Sequence, residues 1–370
     1  MSGIYFHIPF CKQACHYCNF HFSTTMKRKD DMVDAIVQEL RMRADYLDGS
    51  ELETIYFGGG TPSVLSEREL DQIFNEIYKL FSVNVKAEIT LEANPDDLSK
   101  LKLSQLKQSP VNRLSIGVQS FHEAELQWMN RAHNAEESLA CIEDAKSIGF
   151  TNISMDLIFG IPLSSHKLWK ENVRRTIALD VGHISSYALT VEPGTALGRW
   201  VEKGKEVEAP DEYVMEQFDM GIQMLGEAGY FQYEISNFAK PGWEAVHNSN
   251  YWKSKPYLGI GPSAHSFNVG SRSMNIAHNA KYISGITSGT PDLETEIIDA
   301  TTRYNEYVMT RLRTIWGIDL VDIEEFRDYF LEKVAVLLRR NWVEEKGGVY
   351  ILTSEGKHFA DAAAMELFAE

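Results

Sequence analysis

Short apolar runs alternate with amphipathic stretches over the first 230 residues of this 370-residue chain, and that alternation restricts the fold more than any other feature. The runs lie at 4–8, 54–57, 87–92, 113–118, 152–159 and 184–190. Helical periodicity fills the gaps at 30–46, 67–81, 98–108, 135–148 and 166–179, and again at 211–228. Strand–helix alternation of this kind predicts parallel βα units. Six units make an open, partial (β/α)6 barrel, a shortened relative of the eightfold barrel. In such barrels chemistry gathers at the carboxyl ends of the strands.

The first of those ends carries Cys11-Lys12-Gln13-Ala14-Cys15-His16-Tyr17-Cys18. A loop this short aims three thiolates at one small object, and bunched soft ligands of this kind suit a metal centre. An iron–sulfur cubane takes four thiolates, so three would leave one iron open. Zinc is the competing reading, with His16 or His21 completing its shell. The fourth cysteine, Cys141, falls in a helical stretch and reads as a core residue.

Cys-x3-Cys-x2-Cys after a strand, with Tyr17 before the third cysteine, resembles the signature of the radical S-adenosylmethionine (SAM) superfamily. The resemblance implies a four-iron, four-sulfur ([4Fe-4S]) cluster on Cys11, Cys15 and Cys18. It also implies SAM on the open iron, whose sulfonium breaks to a 5′-deoxyadenosyl radical. Other strand ends match the same pattern. Gly58-Gly59-Gly60-Thr61-Pro62 resembles the loop that holds the SAM amino group, which assigns Gly59, Gly60 and Thr61 to it. By the same resemblance Glu92 meets the ribose, Arg131 the SAM carboxylate and Asp156 the adenosine or ribose. Gln119 stands at the mouth, and Tyr5 matches a position near the SAM methionine group. An acid and an amide within apolar strands need partners, because uncompensated burial is costly. A zwitterionic, sugar-bearing ligand supplies them.

Nearly the whole chain resembles the coproporphyrinogen dehydrogenase (HemN) group and, more closely, its haem-chaperone branch, HemW. Three features favour that branch. Met1 lies ten residues before Cys11, which leaves no room for the N-terminal guard segment expected of the dehydrogenase. Phe20 stands where the dehydrogenase has a further cysteine. His247-Asn248-Ser249-Asn250-Tyr251-Trp252 matches the HNxxYW motif, which assigns haem contact to His247, Asn248, Tyr251 and Trp252. A neutral imidazole is a competent axial ligand, and the aromatic pair offers flat faces to a porphyrin. The expected function is haem binding and delivery to respiratory haem proteins. The alternative is oxygen-independent coproporphyrinogen III oxidation to protoporphyrinogen IX by radical decarboxylation. His265 is a further nearby histidine with no assigned role.

Three segments are expected: the barrel over 1–205, a connecting region with the haem motif over 206–290, and a C-terminal domain over 291–370. That last segment has helical patterns at 297–313, 322–330, 331–340 and 354–368. Two short strands flank Gly347-Gly348, so it resembles a winged-helix module. It holds more acids than bases, and reads as a cover or partner surface rather than a wing on phosphates. The formal net charge of −17 argues in the same direction against nucleic-acid binding. Four cysteines without a disulfide framework, and no signal or membrane-spanning stretch, point to the cytoplasm. A homodimer and peripheral membrane contact are both compatible with the sequence.

Overall fold

The structure is a computed structural model and describes residues 2–370. The expected alternation is present. Strand β1 (Ser2–Ile8) is followed by α1 (Lys29–Met42), β2 (Leu52–Gly59), α2 (Glu67–Leu80), β3 (Val83–Ala93) and α3 (Lys100–Gln108). Next come β4 (Arg113–Gln119), α4 (Glu123–Trp128), α5 (Ala135–Ile148), β5 (Asn152–Phe159), α6 (His166–Ala178) and β6 (His183–Ala188). The six strands are parallel neighbours in chain order. Residues after β1 and after β6 line the same cavity, so the sheet curls into an open barrel.

Local chemistry fixes the helix starts. Ser66 with Glu69, and Asn134 with Glu137, form reciprocal capping boxes on α2 and α5. Gly149 ends α5 in the left-handed region. Outward-facing apolar residues of the strands, such as Phe6, Phe57, Leu91, Ile116 and Met155, are fully buried against these helices. The alternate positions face inward and are mostly polar: Thr54 and Tyr56, Glu88 and Glu92, Arg113 and Ser115, Ser154 and Asp156, His183 and Ser185. Contacts between neighbouring strands on that face agree with this direction. Tyr56 donates to Glu92, Ser154 meets His183, and Arg113 lies 3.8 Å from Glu88.

Helices α7 (Ala196–Glu202) and α8 (Asp211–Glu227) follow the barrel. The segment after them then widens the sheet to twelve strands. Strands β7 (Phe231–Glu234) and β8 (Asn237–Ala239) add antiparallel strands beyond β6. Helix α9 (Val246–Trp252) crosses to the other edge, where β9 (Tyr257–Ile260) runs parallel to β1. Beyond it lie β10 (His265–Phe267), β11 (Ser271–Asn275) and β12 (Leu293–Ile297), with α10 (Asn279–Thr287) between the last two.

The C-terminal unit has its own core. It comprises α11 (Ala300–Leu312), β13 (Ile318–Asp319), α12 (Arg327–Arg339), β14 (Val343–Lys346), β15 (Val349–Leu352) and α13 (Ala360–Leu367). Gly347 and Gly348 both take positive φ, the requirement of a tight hairpin turn. Strand β13 completes a three-stranded wing. The helix expected from residue 297 starts at Ala300, because the Asp299 carboxylate caps it on the Thr302 N–H at 2.7 Å. Residues 322–330 and 331–340 were expected as two helices. They form a 3-10 turn at Glu324–Phe326 and one continuous helix, α12. Among the described residues no helix is long and apolar enough to cross a membrane.

Candidate metal centre

The cysteine loop leaves β1 and returns to its end. The Cys11 N–H donates to the Ser23 carbonyl at 3.1 Å, and the Ser23 N–H to the Pro9 carbonyl at 2.9 Å. Within that closed loop Cys11, Cys15 and Cys18 are half-buried free thiols. All three open onto one cavity of about 410 Å³ at the carboxyl ends of the strands. Burial pushes the Cys11 thiol up to about 11 against the opposing hydrogen bond from Thr61, and raises Cys18 as well. These thiols favour the protonated state until a cation takes the proton's place.

The glycine loop after β2 clamps the cysteine loop. The Gly60 N–H donates to the Ile8 carbonyl at 2.9 Å, and the Thr61 N–H to the Phe10 carbonyl at 2.7 Å. A Cβ at Gly60 would lie 2.7 Å from both those carbonyl oxygens, so a larger residue would force the loops apart. The Thr61 hydroxyl then donates to Cys11 Sγ at 3.3 Å.

Arg131 reaches the cavity from the turn after α4. Its Nη1 donates to Cys15 Sγ at 3.2 Å and to the Tyr17 hydroxyl at 3.4 Å. Its Nη2 donates to Asn94 Oδ1 at 2.7 Å and to the Gly117 carbonyl at 2.9 Å. Its Nε is buried and has no hydrogen-bond partner. Asn94 also donates to Thr61 Oγ1 at 3.2 Å, so it joins the glycine loop to the guanidinium. Asn94 was not among the expected site residues, although it lies only two positions beyond the 87–92 run. Gln119 lines the cavity and holds a positive φ of 65°, a strained conformation for a side chain of its size.

Glu92 and Asp156 face each other's field from β3 and β5. Burial, opposed by the Tyr56 hydroxyl and reinforced by Asp156, raises Glu92 to about 7. Burial raises Asp156 to about 6, against the pull of Ser185, Arg113 and Arg131. A carboxyl whose pKa rises on folding binds more protons folded than unfolded. Its contribution therefore turns unfavourable as pH climbs from the ordinary carboxylate range, about 4, through 7. The Glu92→Gln variant without ligand is accordingly expected to melt higher than the parent at pH 8 and at the same temperature at pH 4. A thermal melt at both pH values checks this, and a lower melting temperature at pH 8 would contradict it.

These residues fit the expected groups. Three soft thiols share one cavity, and an unpartnered guanidinium nitrogen awaits an anion beside them. Among the described residues no three His, Cys, Asp or Glu side chains converge as ligands of a single ion. The histidines offered to zinc are engaged elsewhere. His16 Nδ1 lies 2.8 Å from the Trp128 carbonyl and its ring packs on Trp200, while His21 Nε2 lies 2.6 Å from Asn279. Cys141 is buried on α5, as expected of a core residue.

The remaining expected residues lie apart from the thiols. Tyr5 stacks on Tyr56 inside the barrel and faces a second cavity. His247 is buried at the amino end of the barrel. Its Nδ1 lies 2.8 Å from the Thr54 hydroxyl and its Nε2 2.9 Å from the Tyr251 hydroxyl. Both ring nitrogens are therefore occupied. The Val246 and His247 N–H groups donate to the Glu88 carboxylate. Tyr251 lies between His247 and the second cavity, which it lines, and Asn248 and Trp252 are half-buried on α9.

Residues 5–171 match the radical SAM superfamily. A Bacillus subtilis (strain 168) protein named heme chaperone HemW is 36% identical over 86% of this chain and 85% of its own. An Escherichia coli (strain K12) protein of the same name is 32% identical over 99% of this chain and 97% of its own. The solved structure of coproporphyrinogen III oxidase (HemN) from Escherichia coli, titled a radical SAM enzyme, covers 99% of this chain and 89% of that one. The TM-score is 0.87 at 24% identity, a likeness of fold from the barrel through the C-terminal unit. Similarity above 30% along nearly the entire sequence places the chain in the HemW family of the radical SAM superfamily.

Proposed function

We propose that this protein is a haem chaperone that binds haem and passes it to haem-accepting respiratory proteins in the cytoplasm. The observation that carries this reading is the near-full-length likeness to proteins named heme chaperone HemW. A [4Fe-4S] cluster would sit on Cys11, Cys15 and Cys18 beside SAM, and when bound it supplies one-electron chemistry. Gly59, Gly60 and Thr61 would hold the SAM amino group, Arg131 its carboxylate, Glu92 its ribose, and Asp156 the adenosine or ribose. Gln119 would border the adenosine, and Tyr17 would back the cluster loop through Arg131. The haem motif on α9 reaches open space through Tyr251. His247 would meet iron directly only after Tyr251 releases its Nε2.

The test is anaerobic reconstitution followed by two assays on one preparation. Haem uptake, seen as a Soret band that co-elutes with the protein, is expected. Coproporphyrinogen III with SAM and a reductant is expected to stay unconverted. Steady protoporphyrinogen formation without haem uptake would overturn the reading in favour of the oxidase.

A further inference from the structure

The thiol cavity and the His247 motif lie at opposite ends of the barrel, and one strand serves both. Strand β2 points Thr54, Tyr56 and Gly58 inward, two residues apart, and then enters the glycine loop. Thr54 holds His247 Nδ1 at 2.8 Å at the amino end. Gly59, Gly60 and Thr61 line the thiol cavity at the carboxyl end. Tyr56 stands between them, buried and outside every motif of the sequence.

The two parts of the Tyr56 side chain have different partners. Its hydroxyl donates to Glu92 Oε1 at 2.7 Å, and no other side chain is hydrogen-bonded to that carboxylate among the described residues. Burial raises Glu92 to about 7, and the Tyr56 hydrogen bond draws it back toward the ionised form. An ionised carboxylate accepts several hydrogen bonds at once, so one from Tyr56 leaves capacity for a ligand's hydroxyls. Glu92 itself lines the thiol cavity.

The Tyr56 ring stacks on the His247 imidazole, with centroids 4.8 Å apart and planes tilted by 25°. Tyr5 stacks against the pair, 6.1 Å from Tyr56 and 6.5 Å from His247. A Cβ at Gly58 would lie 2.9 Å from Tyr56 Cε1, 3.0 Å from Tyr5 Cε2 and 3.1 Å from Glu92 Oε1. Both rings and the carboxylate therefore pack to one point beneath the glycine loop. In so close-packed a place, displacement of one group is felt by the others.

We propose that Tyr56 is a positioning residue for both ligands: its hydroxyl orients Glu92 for the SAM ribose, and its ring carries His247 for haem. This role rests on the haem-chaperone reading and deepens it by naming the residue that the two sites share. Tyr56→Phe separates hydroxyl from ring in the anaerobically reconstituted full chain. Equilibrium binding of SAM is compared with that of its 2′,3′-dideoxy analogue, which lacks the hydroxyls that Glu92 would accept. Tyr56→Phe is expected to bind SAM about tenfold more weakly than the parent, and the analogue equally well. General loosening of the site would weaken both ligands alike. Parent-like SAM affinity in Tyr56→Phe, or equal losses for SAM and the analogue, overturns the role at Glu92. Ferric haem titration reads the ring. Tyr56→Phe keeps the parent Soret band, whereas Tyr56→Leu, apolar but without a flat face, is expected to shift it and bind haem severalfold more weakly. An unaltered band and affinity in Tyr56→Leu overturns the role at His247. If Tyr56→Leu fails to fold, Tyr56→Phe decides, and loss of the histidine-ligated band there overturns it. A parent that binds SAM and the analogue equally would instead remove Glu92 from the ribose, and one that takes up no haem would sink the chaperone reading.

Discussion

Serine at Cys15 is expected to leave the chain with almost no bound iron and sulfide while its fold persists. A cubane needs thiolate at each protein-held iron, and serine is a harder, far less acidic ligand. With three thiols opening on the cavity, losing one leaves two, too few to hold the cluster against solvent. Iron and acid-labile sulfide should fall from about four per chain to a small fraction. Melting should barely move, because the loop is half-buried and its backbone bonds to Ser23 and to the glycine loop remain. Substitutions of this kind usually change stability by about 0.5 kcal/mol. Cys141→Ser is the control. That thiol is buried on α5 away from the cavity, so cluster content is expected to stay at the parent level. Unaltered iron and sulfide after serine replaces Cys11, Cys15 and Cys18 together would defeat the ligand assignment.

How much of this could be read from the sequence depended on the range of the interaction involved. Strand–helix alternation and the cysteine spacing are local, and they yielded the barrel and the thiol loop. Gln119, Arg131 and Asp156 were reachable because each falls at a strand end or in a quoted motif. A subtler signal lies in the alternation within the strands. Most alternate residues of β2 to β6 are polar or small, as in Glu88-x-Thr90-x-Glu92 and Arg113-x-Ser115-x-Gly117. That period marks a barrel whose interior binds something, not one filled with aliphatic side chains. Strands β7 to β12 escaped notice because they have three to five residues each and carry no repeating apolar pattern. The burial of His247 was not legible either. It depends on α9 packing against Thr54 and Glu88, more than 150 positions earlier in the chain. His265 shows the reverse: an undistinguished position in sequence that the fold sets in open space beside two aromatic rings.

Removing Arg113 is expected to produce the largest loss of stability of any inward-facing substitution in the barrel. The guanidinium is 1% exposed, and its Nε stands 3.8 Å from the Glu88 carboxylate. Its Nη1 donates to Thr90 at 3.4 Å. Its charge also lowers the pKa of both Glu92 and Asp156, holding them closer to the ionised range. Arg113→Met keeps most of the volume but leaves Glu88 buried with only the α9 N–H groups for compensation. Breaking a buried pair from one side costs about 3–5 kcal/mol, a large share of the roughly 5–15 kcal/mol that a domain commands. Glu88→Gln should cost a comparable amount by stranding the cation. The double variant should recover part of the loss, because the two residues act as one unit. Strictly additive losses in chemical denaturation would show that the pair is not coupled. A second consequence separates this role from mere packing. With Arg113 gone, Glu92 and Asp156 lose a positive neighbour and hold their protons to higher pH. The stabilisation by Glu92→Gln should therefore still begin at about pH 4 but keep growing to higher pH, and end larger, in the Arg113→Met background.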